Sequence, residues 1–446
     1  MLTTALGIIG GAGSIIRLLY PAGAFGVALL LYFRYPVLYL GFSWWIFFLS
    51  PFVRRLVDYK SGWTDPSTIL LAPPLVILAC SITFLKHLPK SHQNGGLCFV
   101  ISIAGTCYAF LVGLVNNSVS STILDFLGWI TPILFGFHLF VNWRYYPEFR
   151  SNIQRTFLWG LLLTGVYGIV QFLVAPEWDR YWMLNAPINS IGSPVPLGIR
   201  VFSTLNAPGS FAIVTMAGLL LMMTYRTPLS FPASIAGYIA FLLSQVRASW
   251  LGWLTGLLVL VPSLTSFLQI RLIVVILSIG ICVVPLAAME PFSEVVVARV
   301  QSLSNKSEDR SYSDRMAGYQ NLLQEALTEG IGKGFGYRIE DSKIGANDSG
   351  ILSMLLSLGW LGTIPYLGGI ILVIQAAFAA SAKKLDPFIS TALSIGLGVF
   401  VQIGLGVATA GISGNIFWGF LALSMAGEKF HQRYPSHQNK YILTEE

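Results

Sequence analysis

Stretch after stretch of this chain is long enough to cross a bilayer and holds no Asp, Glu, Lys or Arg. Such runs include 66–85, 91–124, 156–176, 201–225, 227–246, 248–270, 272–289, 349–382 and 387–427. A hydrocarbon core of about 30 Å takes roughly 20 apolar residues of helix. Only 11% of the 446 residues are charged, against about 25% in an average soluble protein. Mean hydropathy is +0.69. A soluble fold of this length would need a charged surface the chain cannot supply. Soluble enzyme, disordered chain and collagen-like fibre are therefore excluded. Transmembrane strands would show short alternating segments, and these runs do not alternate.

The expected fold is all-α: a polytopic membrane protein of about 12 spans (11–13), forming a single membrane domain over 1–446. The spans fall near 20–33, 36–53, 67–85, 97–115, 122–141, 156–175, 208–225, 230–246, 248–265, 271–289, 350–380 and 387–409, with 411–426 as a short thirteenth. Residues 1–19 read as an interfacial helix or lead-in, because a signal peptide would put its positive charge first and Arg17 comes late. Cys80, Cys98, Cys107 and Cys282 lie in apolar spans without paired spacing or His partners, the pattern of core residues.

The net charge of +7 points to membrane orientation, with no nucleic acid as partner. Short basic loops mark the cytoplasmic side. These are 86–96, 142–155, 225–229, the turn at Arg271, 380–386 and the tail 428–446. The outer segments are then 116–121, an interfacial loop over 176–207, the turn at Arg247 and a large extracytoplasmic loop over 290–348. Arg54, Arg55 and Lys60 break the alternation. Either the first spans are counted wrongly or these cations serve a purpose on the outer face.

Trp178, Tyr181 and Trp182 suit an aromatic belt at the membrane surface. Within 290–348, Met316, Tyr319, Leu322, Leu323, Ala326 and Leu327 recur at helical spacing, predicting an amphipathic helix over 313–329. This helix lies on the membrane, covers a cavity or simply packs. Gly330-Ile-Gly-Lys-Gly-Phe-Gly336 looks like a phosphate loop, but no Ser or Thr follows Lys333 and no strand precedes it. A flexible turn fits better. His138, Gln171, Gln245 and Gln402 are expected to make interhelical hydrogen bonds.

Arg200 and Arg247 stand at span boundaries, where a guanidinium fork matches phosphate oxygens and stays charged; snorkelling to lipid headgroups is the plainer reading. Asp348, between Asn347 and Ser349, opens the span after the large loop. It suits a base toward a hydroxyl or a helix N-cap, and the two are compatible.

The order Arg200-Val-Phe-Ser-Thr, Arg247-Ala-Ser-Trp-Leu-Gly252, Ser313-Asp-Arg315, Gly330 to Gly336, Asn347-Asp-Ser-Gly350 and Gly359-Trp-Leu-Gly362 resembles the bacterial O-antigen ligase and O-antigen polymerase superfamily. Its members are inner-membrane glycosyltransferases that take glycans from undecaprenyl diphosphate. The motifs are closer to exopolysaccharide polymerases than to ligases acting on lipid A core. The resemblance covers 200–425 by motif and the whole chain by span count. It implies that Arg200 and Arg247 hold the lipid diphosphate. Many members have a His-Asn pair eleven residues before a Gly; counting back from Gly359 lands on Asp348. Asp, with a reference pKa near 3.9 instead of 6.5, is a weaker base unless burial raises its pKa.

The reaction implied is transfer or polymerisation of lipid-linked repeat units. Arg200 and Arg247 stabilise the leaving diphosphate, and Asp348 acts on the acceptor hydroxyl. Arg315, Arg299 and Asn347 add to the binding site. No metal or other cofactor is called for if arginines neutralise the diphosphate. Partners would be the lipid-linked glycan, the bilayer, and a flippase and chain-length regulator of the same pathway. The alternatives are a transporter of a glycan lipid or a bicarbonate-like anion, and a non-catalytic scaffold for polysaccharide assembly.

Overall fold

The structure, a computed structural model, describes residues 11–91, 95–186, 190–225, 227–290, 322–338 and 349–435. Among these the chain is helical, with no strand and one isolated bridge between Gly192 and Ile199. Seven helices are long and apolar enough to cross a membrane: Gly13–Arg34, Pro36–Ser61, Thr68–His87, Leu97–Asn116, Val119–Val141, Trp143–Val174 and Gly350–Ala382. Each coincides with an expected span. Pro208–Thr224, Ser230–Leu243, Ser266–Ser278 and Pro387–Phe400 are apolar but shorter. The protein is thus a helical membrane protein.

The chain divides into two compact units. The first comprises 1–79, 147–249 and 270–299. Here α1 (Gly13–Arg34) begins seven residues earlier than the span expected at 20–33, so Arg17 lies inside a long helix. It packs against α2 (Pro36–Ser61), which opens on a proline at its first turn, where the missing N–H costs nothing. Tyr20 and Ser50 hydroxyls bond between them at 3.0 Å. Gly13 lies where a side chain would collide with Ser61. Trp44 and Phe48 of α2 meet Phe157 of the helix Tyr146–Val174 edge-on at 5.0 and 5.5 Å. Gly165 of that helix lies against the backbone of Ala236 and Gly237, the close approach small residues give membrane helices.

The second unit comprises 80–146, 250–269 and 300–446. Leu97–Asn116 packs on Gly350–Ala382 through facing glycines: Gly105 beside Gly362, and Gly369 beside Cys98 and Ser102. Ser102 Oγ donates to Tyr366 O at 3.1 Å. The span expected at 387–409 stops at Phe400. Residues 401–410 turn, and a separate helix runs from Gly411 to Arg433. Gly350 lets the carbonyls of Ile403 and Gly406 in that turn come close.

Of the amphipathic helix expected over 313–329, residues 322–328 are described and helical. Leu322 and Ala326 are buried with Leu352, Leu355 and Leu356, while Leu323 and Leu327 are exposed. The described part packs on protein. Trp182 departs from the aromatic-belt expectation: it is 2% exposed and shares a small core with Met183, Ile191, Ile199 and Phe202. The loop 176–207 needed its own core, and the largest aromatic serves it.

Candidate functional site

The residues expected to hold a diphosphate lie at one end of the first unit, on a framework of buried charge. That framework starts in the last turns of α2. Arg54 is bonded to Asp58 one turn on at 3.2 Å, to Asp65 at 3.3 Å and to Thr64 O at 3.1 Å, and its guanidinium lies 4.8 Å over the Trp63 ring. Arg17 of α1 reaches the same Asp58 at 2.9 Å and also donates to Gly62 O. Burying these cations would be prohibitive without the carboxylates. The cations that broke the charge alternation are therefore paired within the protein at 54 and 55, and Lys60 is exposed.

Arg55 is 0% exposed and pairs with Asp179, also 0% exposed, at 3.1 Å. Its other terminal nitrogen donates to Ser203 O. Asp179 Oδ2 accepts from Tyr167 Oη at 2.7 Å and from Gln171 Nε2 at 2.8 Å. Gln171 Oε1 accepts in turn from the N–H groups of Phe202 and Ser203, at 3.0 and 2.8 Å. Ser203 Oγ donates to Thr164 O at 2.6 Å. This network fixes the segment 201–203 to the end of the helix that carries Thr164, Tyr167 and Gln171. Ser203 has φ +51, a left-handed backbone these bonds hold in place.

The segment so fixed carries Arg200. Its backbone N–H bonds Ile191 O at 3.0 Å, closing the turn 191–200. Its guanidinium donates to Ser190 O at 2.7 Å and to Gln245 O at 3.3 Å. Val201 N bonds Leu243 O at 3.2 Å. Gln245, at φ +56, turns the chain out of Ser230–Leu243 and into the helix Arg247–Ser263. Arg200 thus touches the turn that launches Arg247, the first residue of its helix, and both arginines are partly buried. A helix N-terminus also favours anions. The structure bonds Arg200 to the backbone two residues before Arg247. Asp348, Asn347, Arg315 and Arg299 lie outside the described residues.

The capping role weighed for Asp348 is filled by its neighbour: Ser349 Oγ accepts from Leu352 N at 3.3 Å at the head of Gly350–Ala382. Of the predicted interhelical bonds, Gln171 reaches Asp179 in another helix and His138 Nδ1 lies 2.7 Å from Thr83 Oγ1 of another; Gln402 donates to Gly398 O of its own turn.

The glycine run is a docked turn in the second unit. Lys333 and Gly334 donate their N–H groups to Leu356 O and Ser357 O at 2.7 and 3.0 Å. Phe335 donates to Ala109 O at 3.2 Å, and Gly336 to Asp125 Oδ2 at 2.9 Å. Backbone donors spent on protein cannot cradle phosphate. Gly332, Gly334 and Gly336 all have positive φ, and a Cβ on Gly334 would collide with Gly113. Gly359, at φ +60, breaks its helix where Gly330 O and Glu329 O accept from Leu361 N and Trp360 N. Glu329 and Glu325 pair with Lys333 at 3.2 and 3.4 Å, and the bond to Glu329 raises the Lys333 pKa. Asp125 does the same for Arg338, at 2.7 Å.

Sequence reading missed Asp179 and Tyr167. Neither has a motif, and each is placed by a partner in a different element. Comparison with family models, with curated proteins and with solved structures finds no match to this chain.

Proposed function

We propose that this protein is a multi-pass membrane glycosyltransferase that transfers or polymerises glycan repeat units carried on a polyprenyl diphosphate. The observation that supports this reading best is the meeting of Arg200 with the turn that starts at Gln245 and delivers Arg247. Two guanidinium groups at one end of a membrane unit, beside a helix N-terminus, suit a diphosphate. The motif order adds the resemblance to O-antigen ligases and polymerases. On this reading the chain has about twelve spans in a bacterial inner membrane, with 290–348 outside and the tail in the cytoplasm.

The chemistry follows from charge. As the anomeric C–O bond breaks, negative charge grows on the leaving diphosphate. Cations held in place beforehand favour that state over the bound substrate. Holding them is the task of the Arg55–Asp179–Gln171 network, which fixes the segment next to Arg200 without touching substrate. Asp348 takes the proton of the incoming hydroxyl, whose oxygen attacks the anomeric carbon. The arginines neutralise the diphosphate, so the reaction is metal-independent.

Buried ionisable groups also suit anion transport, and Arg55, Asp58 and Asp179 are fully buried. Arg55 pairs with Asp179, and Asp58 with Arg17 and Arg54, which favours a structural role. Reconstituted protein given lipid-linked repeat units decides the matter. Arg247→Ala and Arg200→Ala are each expected to slow extension about 10²–10³-fold, as loss of a transition-state donor does. Asp348→Ala is expected to abolish it. Unchanged product length in all three variants would overturn the assignment, and uptake of labelled anion with no glycan product would establish transport.

A further inference from the structure

The second unit holds a cleft that the proposed reaction does not use. Its volume is about 280 Å³, near the lower end of small-molecule pockets at about 300–1,000 Å³. Three segments build it: the end of the helix Cys80–His87 with the turn that follows, the end of Val119–Val141 with the 3₁₀ turn Trp143–Tyr145, and the last turns of Gly411–Arg433. Each contributes a basic side chain, His87, Arg144 and Lys429 respectively. Among the described residues the wall carries no Asp or Glu.

Aromatic faces position two of these cations. Lys429 Nζ lies 5.0 Å from the Phe140 ring centre and 5.7 Å from that of Trp143. The Arg144 guanidinium lies 5.3 Å over Trp143. A ring face attracts a cation without neutralising it. The described wall of the cleft is thus basic, over a floor that includes Phe137, Phe140, Val141 and Trp143. Its three segments are the basic loops 86–96 and 142–155 and the start of the tail, all of which the sequence assigns to the cytoplasmic side.

We propose that this cleft binds a phosphate anion, and that its source is the headgroup of an anionic phospholipid in the inner leaflet. Basic pockets between membrane helices on the cytoplasmic side take such headgroups. The volume is of the size a phosphate with its glycerol needs. Arg144 offers a planar fork to two phosphate oxygens, and Lys429 offers a point charge. The proposal is independent of the glycosyltransferase reading, since it needs neither Arg200 nor Arg247.

The test is lipid retention by the full chain in nanodiscs, read by native mass spectrometry. Wild type in phosphatidylcholine with phosphatidylglycerol is expected to retain phosphatidylglycerol selectively. Arg144→Gln with Lys429→Gln should weaken that retention about thirtyfold, each basic group contributing about fivefold. The charge-keeping pair Arg144→Lys with Lys429→Arg should retain it, which separates loss of charge from misfolding. In phosphatidylcholine alone, inorganic phosphate is titrated. Phosphate binding that the glutamine variants abolish, without any lipid preference, would overturn the lipid source and assign a soluble phosphate. Equal retention by wild type and the glutamine pair, with no phosphate binding, would overturn the site.

Discussion

Arg55 and Arg144 are both arginines of a membrane protein, and their surroundings are opposite. Arg55 is completely buried against Asp179. Arg144 is exposed beside Trp143, in a cleft whose described wall has no carboxylate. The first arrangement spends its charge on the protein itself. A guanidinium and a carboxylate taken from water together, with Tyr167 and Gln171 donating to Asp179 and Arg55 donating to Ser203 O, fix a segment in one geometry. The second leaves its charge for something outside the chain. Buried cations thus mark the framework, and cations at an edge mark where a ligand would bind. Arg200 is partly buried, and its fork donates to the carbonyls of Ser190 and Gln245.

The contrast is broken most directly at Asp179. Asp179→Ala leaves a buried guanidinium uncompensated and is expected to cost about 3–5 kcal/mol in denaturant unfolding in detergent. Replacing both partners, Arg55→Met with Asp179→Leu, should restore most of that loss, because an apolar pair of similar volume avoids the desolvation cost. The double variant should still lose glycan transfer, since Arg55 no longer holds Ser203 O in the segment next to Arg200. A double variant as unstable as the single one would mean that the pair adds net stability.

A much smaller effect is expected at the edge. Arg144→Gln should leave the unfolding midpoint unchanged, because exposed charges contribute little to stability. A midpoint that falls as it does for Asp179→Ala would show Arg144 to be part of the framework, and the contrast between the two regions would fail.

Much of the fold is legible in the sequence. Charge-free runs predict the seven long helices, because a bilayer imposes one length on every span. Helix ends are less legible. Nothing in hydropathy marks the stop at Phe400, which depends on the turn 401–410 meeting Gly350. At the candidate site, Arg54 with Asp58 has i,i+4 spacing and can be read locally. Arg55 with Asp179 cannot, since the partners lie in α2 and in the helix Glu177–Asn185 and no spacing links them. The glycines of 330–336 are legible as a turn, but their reason is the close backbone of Gly113 and Gly359, which only folding supplies. Arg200 and Arg247 are visible as boundary cations. The bond from Arg200 to Gln245 O, two residues before Arg247, is not, because Gln245 turns there at positive φ.

The central claim is that these two arginines receive a lipid diphosphate. It is tested most directly by binding undecaprenyl diphosphate and undecaprenyl monophosphate to the protein in nanodiscs, at fixed and then rising salt. Wild type is expected to prefer the diphosphate, with a preference that weakens as salt screens the charges. Arg200→Ala with Arg247→Ala should bind the two lipids alike. A double variant that keeps the wild-type preference and its salt dependence would contradict the account.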